Sequence, residues 1–276
     1  MRSMNLSLNV RFAQRSAGRR AAAAVAVASV VMLSGCGTSA GGGPAVAGGT
    51  AKDKRQTATD VRVLWMGDSI AGAQAPALEA ALKAGGAAFK NASSAGGGTL
   101  VAGGHPVTSK IAADTWKALK EDLSSFRPTV IAYQLTGYDW GTARQQLSAY
   151  QKLARTAKDA GARLVLVSAP PFKIDEFFKP HEAAIKRAPA MAAKAAEGGA
   201  DARYLDATEL WGSDYAAGRA QRAKDGIHSC QQGSAAFATW FTKRLGELAG
   251  FTPAAPAAWA TGSWTGDERF VKLGCG

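Results

Sequence analysis

The sequence predicts an α/β fold, a three-layer α/β/α sandwich around a central parallel sheet of about five strands, and three observations carry that prediction. Apolar runs of strand length alternate with helix-like segments from about Asp60 onward, at a spacing that suits parallel crossovers. Thr129 to Leu135 is almost wholly apolar, as a central strand covered on both faces must be. The run from Val61 to Met66 stops abruptly at Gly67-Asp68-Ser69 and gives way to an Ala/Leu-rich segment from Ile70 to Ala84, which reads as strand, tight turn, helix.

After that corner, Ala87 to Ser93 is expected as the second strand, running into Ser94-Ala95-Gly96-Gly97-Gly98, where bare backbone can approach a ligand closely. Lys110 to Ser125 has helical spacing, with Ile111, Trp116, Leu119 and Leu123 as its buried stripe. Pro128 interrupts, and the third strand follows. Arg144 to Ala160 reads as a helix closed by Gly161, and Arg163 to Ser168 as the fourth strand, ending at Ala169-Pro170-Pro171. A long insertion begins at Phe172; its Ala-rich part, Glu182 to Glu197, predicts a helix between Pro180 and Gly198-Gly199. Arg203 to Leu205 is a short fifth strand, and Gly233 to Leu248 a final helix with Phe237, Phe241, Leu245 and Leu248 inward. The stretch from Phe251 carries Trp259 and Trp264 and is expected to strap back over the domain. Covering core surface is the expected role of those tryptophans, with a sugar-stacking platform as the alternative.

The beginning of the chain reads as an address. Residues 1–35 hold five arginines and no acid, then an apolar run from Ala21 to Leu33 that is too short to span a bilayer core comfortably. Leu33-Ser34-Gly35-Cys36 resembles the lipobox of bacterial lipoproteins, which implies cleavage before Cys36, lipidation of its thiol and membrane attachment on the extracytoplasmic side of a bacterial envelope. Residues 36–59 are rich in Gly and Ala and read as a flexible tether, leaving 60–276 as one sizeable domain with a C-terminal tail.

Removing the leader lowers the formal charge from +12 to +7, spread thinly and without the basic–aromatic interleaving of a nucleic-acid groove. With Cys36 lipidated, Cys230 and Cys275 remain, and an exported chain with two thiols is expected to bond them. Closing that loop of about 45 residues contributes on the order of 4 kcal/mol in the chain-entropy model. The two cysteines and His105, His181 and His228 show no metal-ligand spacing, and no cofactor motif is present.

A serine at a strand-to-helix corner has its hydroxyl at the carboxyl edge of the sheet and its N–H at a helix N-terminus that favours negative charge. Both suit a nucleophile that attacks a carbonyl and then holds an oxyanion, although Asp68 or Ser69 as a plain N-cap is the alternative. A serine hydroxyl needs a base, and His228 stands out. It follows Asp225 by three residues in Asp225-Gly226-Ile227-His228, so one turn of backbone can hold carboxylate against imidazole while the other ring nitrogen faces the serine.

With these residues in hand, the chain resembles the SGNH/GDSL hydrolase family, and more closely its exported bacterial members. Gly67-Asp68-Ser69-Ile70 matches the first block, Asn91 to Gly98 the glycine-bearing second, and Asp225 to His228 the last. The resemblance implies a flavodoxin-like three-layer fold with Ser69 as nucleophile and His228 as base. It also implies an oxyanion hole of the N–H groups of Ser69 and Gly96, with Gly97 as the neighbouring choice, plus a side-chain amide from a third block. There the sequence departs: where the family has Gly-x-Asn-Asp, this chain has Gly137-Tyr138-Asp139-Trp140 after Leu135-Thr136. Tyr138 stands at the asparagine's position and can donate one hydrogen bond; Gln134 is a less apt substitute, and a structural strand end is the plain alternative.

Three functions follow as expectations. The first is a lipid-anchored serine esterase acting on an acyl ester, short-chain in the simplest case. The second is acyl transfer to or from an envelope polysaccharide. The third is a binding lipoprotein that keeps the fold without turnover. His105 and His181 read as solvated loop residues.

Overall fold

The computed structural model describes residues 59–275, apart from Gly198 and Ala200. The expected signal peptide, the lipidation site Cys36 and all but the last residue of the tether lie outside the described residues. The element order is β1 (Arg62–Met66), α1 (Ser69–Ala84), β2 (Ala88–Asn91), α2 (Pro106–Phe126), β3 (Val130–Gln134), α3 (Ala143–Asp159), β4 (Arg163–Val167), α4 (Glu182–Ala196), β5 (Ala202–Leu205), α5 (Thr208–Trp211), α6 (Gln231–Ala249) and α7 (Glu268–Lys272). All strands run parallel in the order β2-β1-β3-β4-β5. Among the described residues no helix is long and apolar enough to cross a membrane.

Period-two alternation explains why both faces of the sheet are apolar. Val63, Trp65, Val165 and Val167 face α1 and α6, where Leu78, Leu82, Phe237 and Phe241 close one core. Leu64, Met66, Ile131, Tyr133, Leu164 and Leu166 face the other side, against Leu119, Tyr150, Leu153 and Ala192 from α2, α3 and α4. Burying each large side chain is worth about 1.5–3 kcal/mol, so the two cores hold the strands in register.

Boundaries differ from the sequence reading where local chemistry intervenes. α2 starts a turn early because Pro106 presets the first helical residue and His105 Nδ1 accepts from the Val107 N–H at 3.2 Å. β2 stops early because Asn91 Oδ1 accepts from both the N–H and the hydroxyl of Ser93, bending the chain out of the sheet.

The strand order positions the site. From β1 the chain crosses to β2 on one side and then to β3 on the other, so the turns after β1 and β3 diverge and leave a crevice at their carboxyl ends. The register pairs Trp65 with Ala132 and Met66 with Tyr133, which brings Gly67-Asp68-Ser69 level with the end of β3.

Candidate active site

Ser69 is the first residue of α1 and is half-buried. Asp68 caps the helix, its Oδ1 accepting from the Ile70 N–H at 2.9 Å, while Oδ2 accepts from the Gly137 N–H at 2.9 Å across the crevice. That carboxyl ties the β1 turn to the β3 turn. Burial pushes it up to about 6 despite the two N–H donors, which pull the other way. With Asp68 serving as the cap, the Ser69 N–H donates to none of the described residues and stands free at the positive end of the helix.

His228 reaches the same point from the other end of the chain. Its Nε2 lies 2.8 Å from Ser69 Oγ, and its Nδ1 lies 2.6 Å from Asp225 Oδ2. Asp225 also accepts from the backbone N–H groups of Ile227 at 2.8 Å and His228 at 3.0 Å. Partial burial raises the Asp225 carboxyl, and these hydrogen bonds, led by the His228 ring, outweigh it and hold the group below the usual range. The turn is closed on itself: Ala223 N–H donates to His228 O at 2.7 Å and Gly226 N–H to Ala223 O at 2.9 Å. Arg222 supports it from below, stacked 4.7 Å over Trp211, with Nη1 donating to Ile227 O at 3.2 Å. Burial lowers that guanidinium to about 10. Lys173 of the insertion donates its N–H to Gly226 O, so the insertion leans on the same turn.

The glycine block divides its duties differently from the expectation. Gly96 is exposed, and its N–H donates to Ser94 Oγ at 3.2 Å, so the donor expected there already has an acceptor. Gly96 lines a separate hollow with Ser94, Gly98 and Ile111. Glycine itself is required two residues on: Gly98 has φ +55°, and a Cβ there would overlap the carbonyl oxygen of Gly67. Gly97 is buried under the ring of Tyr138.

Tyr138 is half-buried, stacked on Trp140 at 5.6 Å and edge-on to Phe178 at 5.6 Å. Its hydroxyl makes no hydrogen bond to the described residues, and burial, with the carboxylates of Asp68 and Asp175, keeps the phenol protonated. Gln134 points into the α1 face, where Nε2 donates to Gln74 Oε1 at 2.8 Å. The neighbour of Tyr138 has the fuller role. Asp139 is fully buried and accepts from Thr99 Oγ1 and Tyr133 OH, both at 2.6 Å, from Tyr150 OH at 2.8 Å, and from the hydroxyl and N–H of Thr136. Burial raises its carboxyl above the usual range, opposed by those donors. It thereby fastens the glycine block to the end of β3. His105 and His181 gather instead around Trp140, with His181 stacked 3.5 Å from the indole.

The C-terminal tail is strapped back over the domain by the expected disulfide, but sequence reasoning missed that it also lines the site. Cys230 and Cys275 are bonded, with Cα atoms 5.5 Å apart, and Arg269 of α7 donates to the carbonyl of Gly72. This seats α7 beside a cavity of about 380 Å³ lined by Ser69 and His228 together with Asn91, Arg269, Lys272 and Leu273. Cys230 follows His228 with one residue between them, so the bond to Cys275 draws the tail to the site. Trp259 is buried in the core, whereas Trp264 is only partly covered. Among the described residues no group of three or more His, Cys, Asp or Glu is placed to hold a metal.

The arrangement can relay a proton from a hydroxyl through an imidazole to a carboxylate. The family model described as an SGNH domain, fused to AT3 domains, matches residues 36–232. A catalytic mutant of an acetylxylan esterase from Geobacillus stearothermophilus is similar in fold at a TM-score of 0.50 and 14% identity, covering 69% of this chain and 96% of its own. A protein designated an acylhydrolase from Bacteroides fragilis is similar at a TM-score of 0.50 and 14% identity, covering 69% and 90%. No curated protein matches the chain in sequence.

Proposed function

This chain belongs to the SGNH family and is a serine hydrolase of ester bonds; on that premise we propose that it is a lipid-anchored, extracytoplasmic esterase that removes a short acyl group by way of an acyl-enzyme on Ser69. The single observation that carries the reading is the 2.8 Å approach of His228 Nε2 to Ser69 Oγ, with Nδ1 held by Asp225 at 2.6 Å. His228 takes the proton as Ser69 Oγ attacks the ester carbonyl, and Asp225 fixes the tautomer and stabilises the imidazolium. The oxyanion forms against the Ser69 N–H at the head of α1, with the Tyr138 phenol as a second donor. His228 then returns the proton to the departing alkoxide, leaving the acyl group on Ser69 for water to remove.

Anchoring through Cys36, after loss of residues 1–35, rests on the lipobox-like Leu33-Ser34-Gly35-Cys36. The second reading, deacylation of or transfer to an envelope polysaccharide, shares the acyl-enzyme and is favoured by the open cavity beside Ser69, which has room for an acceptor larger than water.

The test is hydrolysis of a short-chain chromogenic acetyl ester, together with fluorophosphonate labelling. Wild type is expected to turn over and to be labelled at Ser69, and Ser69→Ala to do neither. Equal rates for the two proteins would overturn the assignment.

A further inference from the structure

The cavity beside Ser69 does not end at α7. Asn91, Asp267 and Arg269 line it and also line a second hollow of about 530 Å³, which runs past Glu79 and Lys83 of α1 to Trp264. Sharing these walls, the two adjoin as a trough along the C-terminal segment, the first holding the nucleophile, with each part in the size range of small-molecule sites. The segment is fixed in place by the Cys230–Cys275 bond and by Arg269 on the Gly72 carbonyl. Trp264 is held by its indole N–H, which donates to Trp259 O at 2.7 Å, and by the edge of Phe270.

Charge along the trough is compensated residue by residue. Lys83 pairs with Glu79 at 2.5 Å, Arg269 with Asp267 at 2.7 Å and Lys272 with Glu268 at 2.8 Å. A phosphate or carboxylate ligand meets no unpaired cation there. A long alkyl chain would have to desolvate ion pairs without satisfying them. A neutral polyhydroxylated chain suits both features, because its hydroxyls exchange hydrogen bonds with Asn91 and the paired charges while an apolar ring face lies on the partly exposed indole of Trp264.

We propose that this trough binds the alcohol portion of the substrate and takes a neutral oligosaccharide, an inference that rests on the ester-hydrolase reading above. The sugar oxygen bearing the acyl group is presented to Ser69; its bond to the acyl carbon breaks as the serine ester forms. That oxygen leaves with the proton from His228, and the deacylated oligosaccharide remains in the trough.

Calorimetric titration of full-length Ser69→Ala protein with neutral xylo-oligosaccharides, and with oligogalacturonate as an anionic counterpart, tests this without turnover. The neutral chain is expected to bind at least tenfold tighter than the anionic one, and Trp264→Ala to weaken it at least tenfold. Glu79→Gln, an exposed change that spares the packing, frees Lys83 and is expected to narrow the neutral-over-anionic preference at least threefold. Absence of binding, equal affinity for the two chains, or indifference to both substitutions would each overturn the proposal. Because the inactive protein is used, failure here is distinguishable from failure of the esterase reading, which the acetate-ester assay reports separately.

Discussion

The backbone of Gly98 lies so close to the carbonyl of Gly67 that a Cβ added at Gly98 would overlap the oxygen. This contact brings the glycine block onto the corner that carries Ser69. Gly98→Ala is therefore expected to destabilise by about 1–3 kcal/mol from its positive φ alone and, by displacing the corner, to lower kcat at least tenfold. Gly161 supplies the control, since it also has positive φ (+68°) but nothing within 4 Å of an added Cβ. Gly161→Ala should cost about 1 kcal/mol in urea unfolding and leave kcat unchanged. Similar losses of kcat in both variants would refute the contact's part in placing Ser69.

The short turn from Asp225 to His228 holds the carboxylate 2.6 Å from the imidazole of the proposed base. His228→Ala is expected to lower turnover about a thousandfold or more with the fold intact, because an unassisted serine hydroxyl is not ionised near neutral pH. Asp225→Asn should cost less, since the backbone N–H groups of Ile227 and His228 still hold the turn. Steady-state kinetics on a chromogenic ester measures both. A His228→Ala protein that kept a tenth of wild-type turnover would mean Ser69 uses another base.

Asp139 accepts hydrogen bonds from the two buried tyrosines, Tyr133 and Tyr150, as well as from Thr99 and Thr136. Removing one donor from a buried carboxylate leaves it short of a partner, so Tyr150→Phe is expected to cost about 1–3 kcal/mol in denaturant unfolding. Asp139→Asn should cost more, because its amide group turns a donor towards donors. If Tyr150→Phe is as stable as wild type, the carboxylate does not depend on that hydroxyl.

Much of this architecture was legible because it is written in periodicity. The five strands, their helices and the apolar cores follow from alternation and from turn residues such as Gly67, Pro128 and Gly161, and Ser69, Asp225 and His228 stand out by residue type at element ends. What was not legible depends on long-range approach. No local pattern distinguishes Gly98, which must be glycine, from Gly96, whose N–H turns to Ser94. Asp139 reads as a strand end until Thr99 and Tyr150, 40 and 11 residues away in sequence, converge on it. α7 is a five-residue helix whose place beside Ser69 comes from the disulfide, which the cysteine count announces, and from Arg269 reaching Gly72, which no local pattern encodes.

Burial raises Asp68 to about 6 in the folded chain against its ordinary 3.8. Between these values the native state keeps a proton that the unfolded chain has lost. Stability from this group is thus present below pH 3.8 and is lost as pH rises through about 6. A shift of roughly two units corresponds to about 3 kcal/mol. Asp225, held low, acts in the opposite sense and below this window. In equilibrium unfolding from pH 4 to 7, the stability of wild type minus that of Asp68→Asn should fall by about 2 kcal/mol, the remainder being lost below pH 4. A flat difference would mean that the N–H groups of Gly137 and Ile70 keep Asp68 ionised throughout.

Tyr138 stands where the family has an asparagine. Its ring is fixed between Trp140, Phe178 and Gly97, while its hydroxyl bonds to none of the described residues, so packing and hydrogen bonding can be separated by one atom. The N–H groups of Gly96 and Gly97 both turn to Ser94, at 3.2 and 3.4 Å, so in the proposed mechanism the oxyanion falls to the Ser69 N–H with the phenol as second donor. Tyr138→Phe keeps the ring and is expected to lower kcat about 10²-fold with KM and melting temperature little changed, the signature of a bond made only in the transition state. A purely structural tyrosine predicts the reverse, a small shift in melting temperature and an unchanged kcat. Tyr138→Asn restores the family residue but opens the space the ring filled beside Gly97, so it should recover activity only partly and at the cost of stability. Wild-type kcat in Tyr138→Phe would leave the oxyanion to the Ser69 N–H and the dipole of α1.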